Sequence, residues 1–293
     1  VLTRASRAGP RHSLRVVSAS STLVPPRAAS PAPPPAPPPV APQVRVGRVW
    51  IHAVTMAQAI AAIAALIGRG RGGAVFTPNV DHVVLADEHA AFGAAYGRAD
   101  LVLGDGAFVV WVSRLLGLPL PEKVSGSDLV APLAACAAER GWRVFLLGAA
   151  PGVAAEAGRR LHAATGVHIV GACSPSIGAD GSGDAELVAE VRAARPDLVL
   201  VALGTPKQEV WIDAVRAALA PAVLVGVGAT FDFIAGRQRR APAFVSAMGL
   251  EWLFRLAHEP RRLWRRYLVR DPAFVGIAWR TWRAPRATRV RGG

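Results

Sequence analysis

The chain lacks several features that assign a function at sight. It has two cysteines, Cys136 and Cys173, in 293 residues, without metal-ligand spacing or a disulfide framework. Its seven histidines are scattered and form no zinc motif. These absences argue against a disulfide-stapled secreted domain or a zinc protein, and they favour a reducing compartment.

Motifs for common cofactors are missing as well. No G-x-G-x-x-G follows the early strands, and no G-x-x-x-x-G-K-[ST] or G-x-S-x-G occurs. The acidic, glycine-rich residues 180–184 lack the calcium-loop pattern. We therefore predict no metal site and no cofactor.

No secretory signal or membrane span is convincing. Arginines occur near the N-terminus without an apolar segment behind them. Residues 49–68 carry no charge if His52 is neutral, but His52, Thr55 and Gln58 interrupt the run and alanine dominates its second half. This pattern favours a strand followed by a helix.

Acidic residues are scarce at both ends. Residues 1–48 carry seven arginines and no acid, whereas residues 237–293 carry 14 arginines and three acids. The middle is mildly acidic, although the net charge of the chain is +14. Basic flanks of this kind indicate a polyanionic partner, either nucleic acid or an anionic membrane.

Composition and periodicity divide the chain into four parts. Residues 1–43 are rich in arginine and proline and are predicted to be a disordered leader. Residues 44–240 are predicted to form an α/β core, residues 241–282 an amphipathic helical appendage, and residues 283–293 a basic tail.

Within the core, short apolar segments alternate with helical stretches. This order predicts a mostly parallel, open sheet with helices on both faces. The predicted strands are 44–51, 74–77, 101–103, 144–147, 168–170, 198–203 and 223–227. The predicted helices are 56–67, 80–96, 107–116, 129–140, 153–165, 185–194 and 208–219.

The segment Gly204-Thr205-Pro206-Lys207-Gln208-Glu209 follows one such strand directly. Gly204 permits close backbone approach, Thr205 is predicted to cap a helix, and Pro206 to begin it. The next three residues then lie beside free N–H groups that favour a phosphate. An ordinary capped loop explains the same residues.

Polar residues follow other strands too, and parallel strands bring such loops to one edge of the sheet. They are Thr77 and Asn79 with Asp81 and His82 just beyond, Asp105, and Asp232. Asp105, between two glycines at the end of a buried strand, is the best general-base candidate because partial desolvation raises a carboxyl pKa. The alternatives are a cap on the next helix for Asp105 and an Asx turn for Asn79.

The appendage contains a short helix opened by Pro260. Its apolar face is Leu263, Trp264, Tyr267 and Leu268, and its basic face is Arg261, Arg262, Arg265 and Arg266, followed by Arg270. This pattern suits a helix lying in an anionic membrane surface. A helix packed on the domain with a solvated arginine face, and a nucleic-acid contact, are the alternatives.

Taken in order, ten segments resemble the WecG/TagA/CpsF glycosyltransferase family (glycosyltransferase family 26). The resemblance covers about residues 45–275. The segments are 76–79 (FTPN), 100–106 (DLVLGDG), 121–129 (PEKVSGSDL), 144–148, 194–198, 204–209 (GTPKQE), 226–232 (GVGATFD), 240–242, 249–255 (GLEWLFR) and 259–263 (EPRRL).

The resemblance implies a metal-independent, inverting transfer of an N-acetylmannosamine-type sugar from a UDP donor to a polyprenyl-diphosphate-linked sugar. It implies Asp105 as general base and Thr77, Asn79 and Gln208 in the pocket. The other expected substrate-binding residues are Lys123, Gly204, Pro206, Lys207, Glu209 and Asp232. Arginines of the appendage are expected over the donor diphosphate, with Arg255, Arg261, Arg262 and Arg265 as candidates.

The resemblance also implies a peripheral enzyme at the cytoplasmic face of the plasma membrane and no nucleic-acid partner. A homo-oligomer is compatible with it. Two departures stand out. Lys123 occupies a position where the family usually has arginine, and lysine keeps the positive charge but loses the bidentate geometry. The proline-rich leader and the tail beyond about 276 are not expected in the family. A non-catalytic membrane scaffold and a nucleic-acid-binding protein are the rival hypotheses.

Overall fold

A computed structural model gives the fold of residues 41–178, 185–242, 245–246 and 248–292. The predicted leader up to residue 40 and the acidic residues 180–184 lie outside the described residues, as does the side chain of Arg262.

Six strands form a parallel sheet in the order β4-β3-β8-β7-β5-β6. This confirms the predicted parallel α/β architecture. Their bounds are β3 Gly73–Phe76, β4 Leu101–Val102, β5 Arg143–Gly148, β6 His168–Cys173, β7 Leu198–Ala202 and β8 Val223–Gly226.

Alternate residues of the strands enter two separate cores. Val199 and Val201 pack on one face of β7, and Leu198 and Leu200 pack on the other. Helices cover both faces, as the continuous apolar strands predict. They are α1 Met56–Gly68, α2 Val80–Glu88, α3 Ala90–Arg98, α4 Ala107–Leu115, α5 Gly126–Glu139, α6 Val153–Thr165, α7 Ala185–Ala193, α8 Lys207–Val215 and α9 Thr230–Ile234.

The first predicted strand, 44–51, is wrong. The structure has a hairpin of β1 (Gln43–Val46) and β2 (Val49–His52) in a separate antiparallel sheet. Gly47 has a φ of +61°, which allows the two-residue turn between them. The predicted strand therefore folds back on itself, and β1 also pairs with β9 (Val290–Arg291) at the end of the tail.

The helix predicted at 80–96 is interrupted. His89 has extended backbone angles, so α2 ends at Glu88 and α3 begins at Ala90. Gly93 lies so close to α2 that an added Cβ would be 2.6 Å from the Ala86 carbonyl oxygen. The break therefore lets α3 pack back onto α2.

The appendage consists of short helices rather than one regular amphipathic helix. These are α10 (Glu251–His258), α11 (Pro260–Trp264), a π-helical turn (Arg265–Arg270) and α12 (Ala273–Arg283). Within the described residues, no helix combines the length and apolarity needed to cross a membrane.

The predicted apolar and basic faces of the appendage are not preserved. The Asp271 N–H donates to the Arg266 carbonyl, five residues back, which is the π-helical spacing. Leu263 is buried, whereas Leu268 is 59% exposed. The wider turn therefore disrupts the 3.6-residue period. Arg266, predicted on the basic face of the helix, contacts Asp81 and Asn79 instead.

Candidate active site

A cavity of about 420 Å³ lies between one edge of the parallel sheet and the appendage. The core contributes the loops after β3 and β4 and the start of α4, and the appendage contributes α10, the π-helical turn and α12. The polar lining residues are Asn79, Asp81, Asp105, Lys123, Ser246, Glu251, Arg255, Arg266, Tyr267 and Asp271. The structure thus brings Asp105, Asn79, Lys123 and Arg255 of the predicted site together.

Asp105 lies on the core wall of this cavity. Its backbone N–H donates to the Pro78 carbonyl at 2.9 Å, which ties the loops after β3 and β4 together. The capping alternative is not observed, because Gly106 holds the N-cap position of α4 without a side-chain hydrogen bond. Burial raises the pKa of Asp105 to about 7, although the charges of Lys123 and Arg255 oppose the shift. A carboxyl group with this pKa can exchange a proton near neutral pH.

Lys123 joins the two walls. Its Nζ lies 3.2 Å from Asp128 Oδ2 in the core and 3.7 Å from Glu251 Oε2 in the appendage. Burial lowers its pKa, but the carboxylates of Asp105, Asp128 and Glu251 outweigh burial and raise it. Lys123 is therefore a fixed cation facing Asp105.

Asn79 caps a helix and also contacts the appendage. Its Oδ1 accepts from the His82 backbone N–H at 3.4 Å and from Arg266 Nη2 at 3.2 Å. Asn79 is thus the N-cap of α2, where an Asx turn was the alternative, and it also lies in the cavity lining.

Asp81 forms the main ionic contact between α2 and the appendage. It is 2% exposed, and its Oδ2 lies 3.2 Å from Arg266 Nε while its Oδ1 pairs with Arg270. Asp271 adjoins this group, and burial, followed by the charge of Asp81, raises the pKa of Asp271 to about 6. Sequence analysis noted Asp81 beside Asn79 but did not pair it with the appendage arginines.

The four predicted appendage arginines are placed differently. Arg255 lines the cavity. Arg261 and Arg265 are exposed and are not among its lining residues, and the Arg265 guanidinium lies over the Trp264 ring. Arg266, which was not among the predicted arginines, lines the cavity instead. The prediction assumed an α-helical period, whereas residues Arg265–Arg270 form a π-helical turn.

Residues 204–209 lie behind the cavity and do not line it. Gln208 and Glu209 are buried, and the Gln208 amide donates to Glu209 Oε1 at 2.8 Å while its Oε1 accepts from the Gly228 N–H at 3.0 Å. Lys207 Nζ donates to the Ile177 carbonyl, and Gly204 is exposed. The side chains of this turn contact His82 of α2, the carbonyl of Ile177 and the N–H of Gly228.

The helix start predicted in this turn is wrong in detail. Pro206, joined to Thr205 by a cis peptide bond, holds the N-cap position of α8, and no side chain caps the helix. Thr205 Oγ1 instead lies 2.6 Å from His82 Nε2. The hydroxyl is used for a contact with α2 rather than for capping α8.

His82 connects the turn to α2. Its Nδ1 lies 2.7 Å from the Tyr96 hydroxyl and 3.8 Å from Glu209 Oε1. Burial lowers the pKa of His82 to about 3 and raises that of Glu209 to about 7. A neutral imidazole at physiological pH therefore links α2, which carries Asp81 and begins after its N-cap Asn79, to the turn after β7.

Thr77 and Asp232 complete the set of predicted residues. Thr77 is buried, and its hydroxyl donates to the Gly226 carbonyl at 3.3 Å. Asp232 is half-buried in the first turn of α9. Neither residue is part of the cavity lining.

Comparisons with known proteins identify the family of the chain. Residues 44–288 match the family described as the glycosyl transferase WecG/TagA/CpsF family. The chain belongs to this family, and the protein is a glycosyltransferase. The match extends into the tail beyond residue 276, which the sequence analysis wrongly placed outside the family.

One relative gives a more specific comparison. The chain is 36% identical over 203 residues to the N-acetylglucosaminyldiphosphoundecaprenol N-acetyl-beta-D-mannosaminyltransferase of Bacillus spizizenii. The aligned region covers 69% of this chain and 77% of the relative.

Proposed function

We propose that the protein transfers N-acetylmannosamine from UDP to N-acetylglucosamine on a polyprenyl diphosphate, with inversion, in cell-surface polysaccharide synthesis. The name of the Bacillus spizizenii relative supports this donor sugar and lipid-linked acceptor. The observation that carries the proposal is Asp105, with a pKa raised to about 7, facing a cavity that also holds Lys123, Arg255 and Arg266.

In the proposed reaction, Asp105 accepts the proton of the acceptor hydroxyl. The hydroxyl oxygen bonds to the anomeric carbon as the bond from that carbon to the UDP oxygen breaks, and UDP leaves with the electron pair. A single displacement of this kind inverts the anomeric centre. Because the pKa of Asp105 is near neutral, the carboxylate is a stronger base than an ordinary aspartate.

Cations of the cavity are proposed to stabilise the leaving diphosphate. Arg255 and Arg266 enter from the appendage, and Lys123 lies on the core wall. Fixed positive charges beside a developing negative charge stabilise a transition state without reorganisation. The substrate roles predicted for Thr77, Gln208, Glu209 and the rest of the 204–209 turn become indirect in this proposal, because these residues support the wall.

The appendage is proposed to hold the enzyme peripherally on the cytoplasmic face of the plasma membrane. Trp264 is 44% exposed, and Leu268 and Val269 are more exposed still. These side chains adjoin the arginine-rich segment that borders the cavity. A lipid-facing apolar surface near the cavity would bring a polyprenyl-linked acceptor to Asp105.

The test is release of UDP by purified protein given UDP-N-acetylmannosamine and lipid-diphosphate-linked N-acetylglucosamine. Asp105→Asn is expected to lower kcat by about 10²–10⁴, the usual contribution of a general base. Asp213→Asn, which removes a carboxylate from the surface pair with Arg98, is the matched control and should retain full rate.

Two outcomes would contradict parts of this proposal. Full activity of Asp105→Asn would refute the base assignment. Binding of lipid without turnover of any UDP-sugar would refute the enzymatic role of this chain and favour the scaffold.

The proposed role of Asp105 as base also predicts how the rate in this assay depends on pH. A base must be deprotonated, so kcat/KM should fall about tenfold per pH unit below about pH 7 if Asp105 is that base. The acidic limb should disappear from the residual activity of Asp105→Asn. A limb that persists unchanged in this variant would assign it to another group.

A further inference from the structure

A second cavity, of about 250 Å³, has lining residues different from those of the active-site cavity. It lies where the β1–β2 turn, the end of α2, α12 and the tail meet. Arg45, Arg48, Arg280 and Arg289 line it together with a single acid, Asp87. The lining thus has a surplus of three positive charges at neutral pH.

The cavity is held by contacts between distant parts of the chain. The Gly47 N–H donates to Thr281 Oγ1 at 3.0 Å, and a Cβ at Gly47 would be 2.7 Å from Ile277 of α12. The Arg45 N–H donates to the Arg289 carbonyl at 2.7 Å. These contacts fix the hairpin turn, α12 and the tail around the cavity.

Some guanidinium N–H groups of the cavity have no hydrogen-bond acceptor among the described residues. Arg45 Nε donates to the Gly47 carbonyl, and Arg289 Nη1 donates to the Trp282 carbonyl. Arg289 Nε is buried and has no hydrogen-bond partner among the described residues. A buried guanidinium N–H without an acceptor is costly, so an acceptor entering the cavity would be favourable.

Asp87 neutralises part of the charge from one side. Its Oδ2 lies 3.1 Å from Arg280 Nη2, and its Oδ1 lies 3.8 Å from Arg48 Nε. Arg45 and Arg289 have no ion pair with an acid in the described part of the chain. The unmatched charge is therefore concentrated on these two residues.

We propose that this cavity binds a phosphate group, as a free phosphate or as the phosphodiester of an anionic lipid headgroup. Guanidinium groups bind phosphate oxygens through paired, charge-assisted hydrogen bonds, which matches the donors available here. Trp279 and Trp282 on α12 are about half exposed, and such side chains suit the headgroup level of a membrane. The site is separate from the sugar-transfer reaction and does not depend on it.

The test uses the full chain and two probes. Inorganic phosphate binding is measured by calorimetry, and flotation is measured with vesicles of phosphatidylcholine alone or mixed with phosphatidylglycerol. The double variant Arg45→Gln/Arg289→Gln is expected to lose about tenfold or more in affinity for the probe that occupies the site. Arg159→Gln/Arg160→Gln on α6 removes the same charge from an exposed cluster and should have little effect.

A variant that is expected to bind the probe more tightly separates an effect on the site from misfolding. Asp87→Asn removes the opposing carboxylate and is expected to raise affinity for the same probe about fivefold, because a like charge near an anion is repulsive. Loss of the folded cavity cannot produce this gain in the binding of inorganic phosphate.

Four patterns of outcome decide the proposal. Effects on phosphate binding alone support a soluble ligand, and effects on phosphatidylglycerol vesicles support a lipid headgroup. Unchanged binding of both probes in the Arg45/Arg289 and Asp87 variants overturns the site. Equal loss in the Arg159/Arg160 control also overturns it, since binding would then follow net charge. UDP binding by the same variants reports separately on the proposed transferase site.

Discussion

The two walls of the candidate active-site cavity are built differently. The core wall carries Asp105 and Asn79 on loops fixed by parallel strands, and Asp105 is joined to the neighbouring loop by a backbone hydrogen bond. The appendage wall carries Arg255 and Arg266 on short helices held by ion pairs. The proposed proton transfer thus belongs to the wall built on the sheet. The proposed diphosphate contacts belong to a wall held by ion pairs and by the buried side chains of Leu263, Phe274 and Ile277.

This comparison predicts that appendage arginines act on the transition state from across the cavity. Arg255→Ala is expected to lower kcat by about 10²–10³, the usual cost of removing one electrostatic donor. Arg261→Ala is the matched control because Arg261 lies on the same appendage but is exposed. Steady-state UDP release measures both. Equal losses in the two variants would mean that the appendage acts through its overall charge. No specific contact of Arg255 with the diphosphate would then be needed.

The core could be predicted from sequence because its signals are local and strong. Apolar strands such as Leu198–Ala202 followed by glycine turns predict a parallel sheet, and the structure confirms it. The hairpin at Gly47 was missed because one continuous apolar segment can form one long strand or two short ones. Its tertiary partner, α12, lies more than two hundred residues away along the chain.

The appendage was harder to predict because its local signal was misleading. An α-helical period places Arg266 beside Arg261 and Arg265 on one basic face, whereas the structure pairs Arg266 with Asp81 and Asn79. Which arginine enters the cavity therefore depends on a buried acid of α2. Charge clustering indicated the region, but only the packed structure pairs the individual residues.

The attachment of the appendage wall can be tested at Asp81. Asp81→Asn leaves Arg266 and Arg270 without their buried carboxylate partner. Because both arginines remain partly exposed, the loss of stability should be about 1–2 kcal/mol, below the 3–5 kcal/mol typical of a fully buried pair. Amide hydrogen exchange should accelerate across residues 260–283 and remain slow in the parallel strands.

Asp87→Asn provides the control on the same helix. Asp87 contacts Arg280 of the same appendage, but both side chains are more exposed, so exchange across the appendage should change little. Equal acceleration in the two variants, or acceleration throughout the core after Asp81→Asn, would contradict a specific attachment at Asp81.

An effect of similar size is expected in the stability of the core wall itself. The folded pKa of Asp105 is about 7, above its ordinary value of 3.8, so ionisation opposes folding. The penalty is absent below the unfolded pKa, grows as the pH rises from about 4 to about 7, and is constant above that range.

Asp105→Asn should therefore stabilise the protein more at pH 8 than at pH 5. The full pKa difference corresponds to at most about 4 kcal/mol, and since Asp105 is only half-buried we expect about 1–2 kcal/mol. Urea unfolding at both pH values measures the change.

Asp128→Asn should have the opposite sign. Burial raises the pKa of Asp128, but hydrogen bonds from Ser125 and Arg240 and the charge of Lys123 outweigh burial and lower it. Its ionised form therefore stabilises the fold, and the variant should be less stable than the wild type at pH 8. A loss of stability in both variants at pH 8 would show that Asp105 is also held by favourable contacts. The cavity carboxylate would then be a structural ion-pair partner of Lys123 rather than a desolvated base.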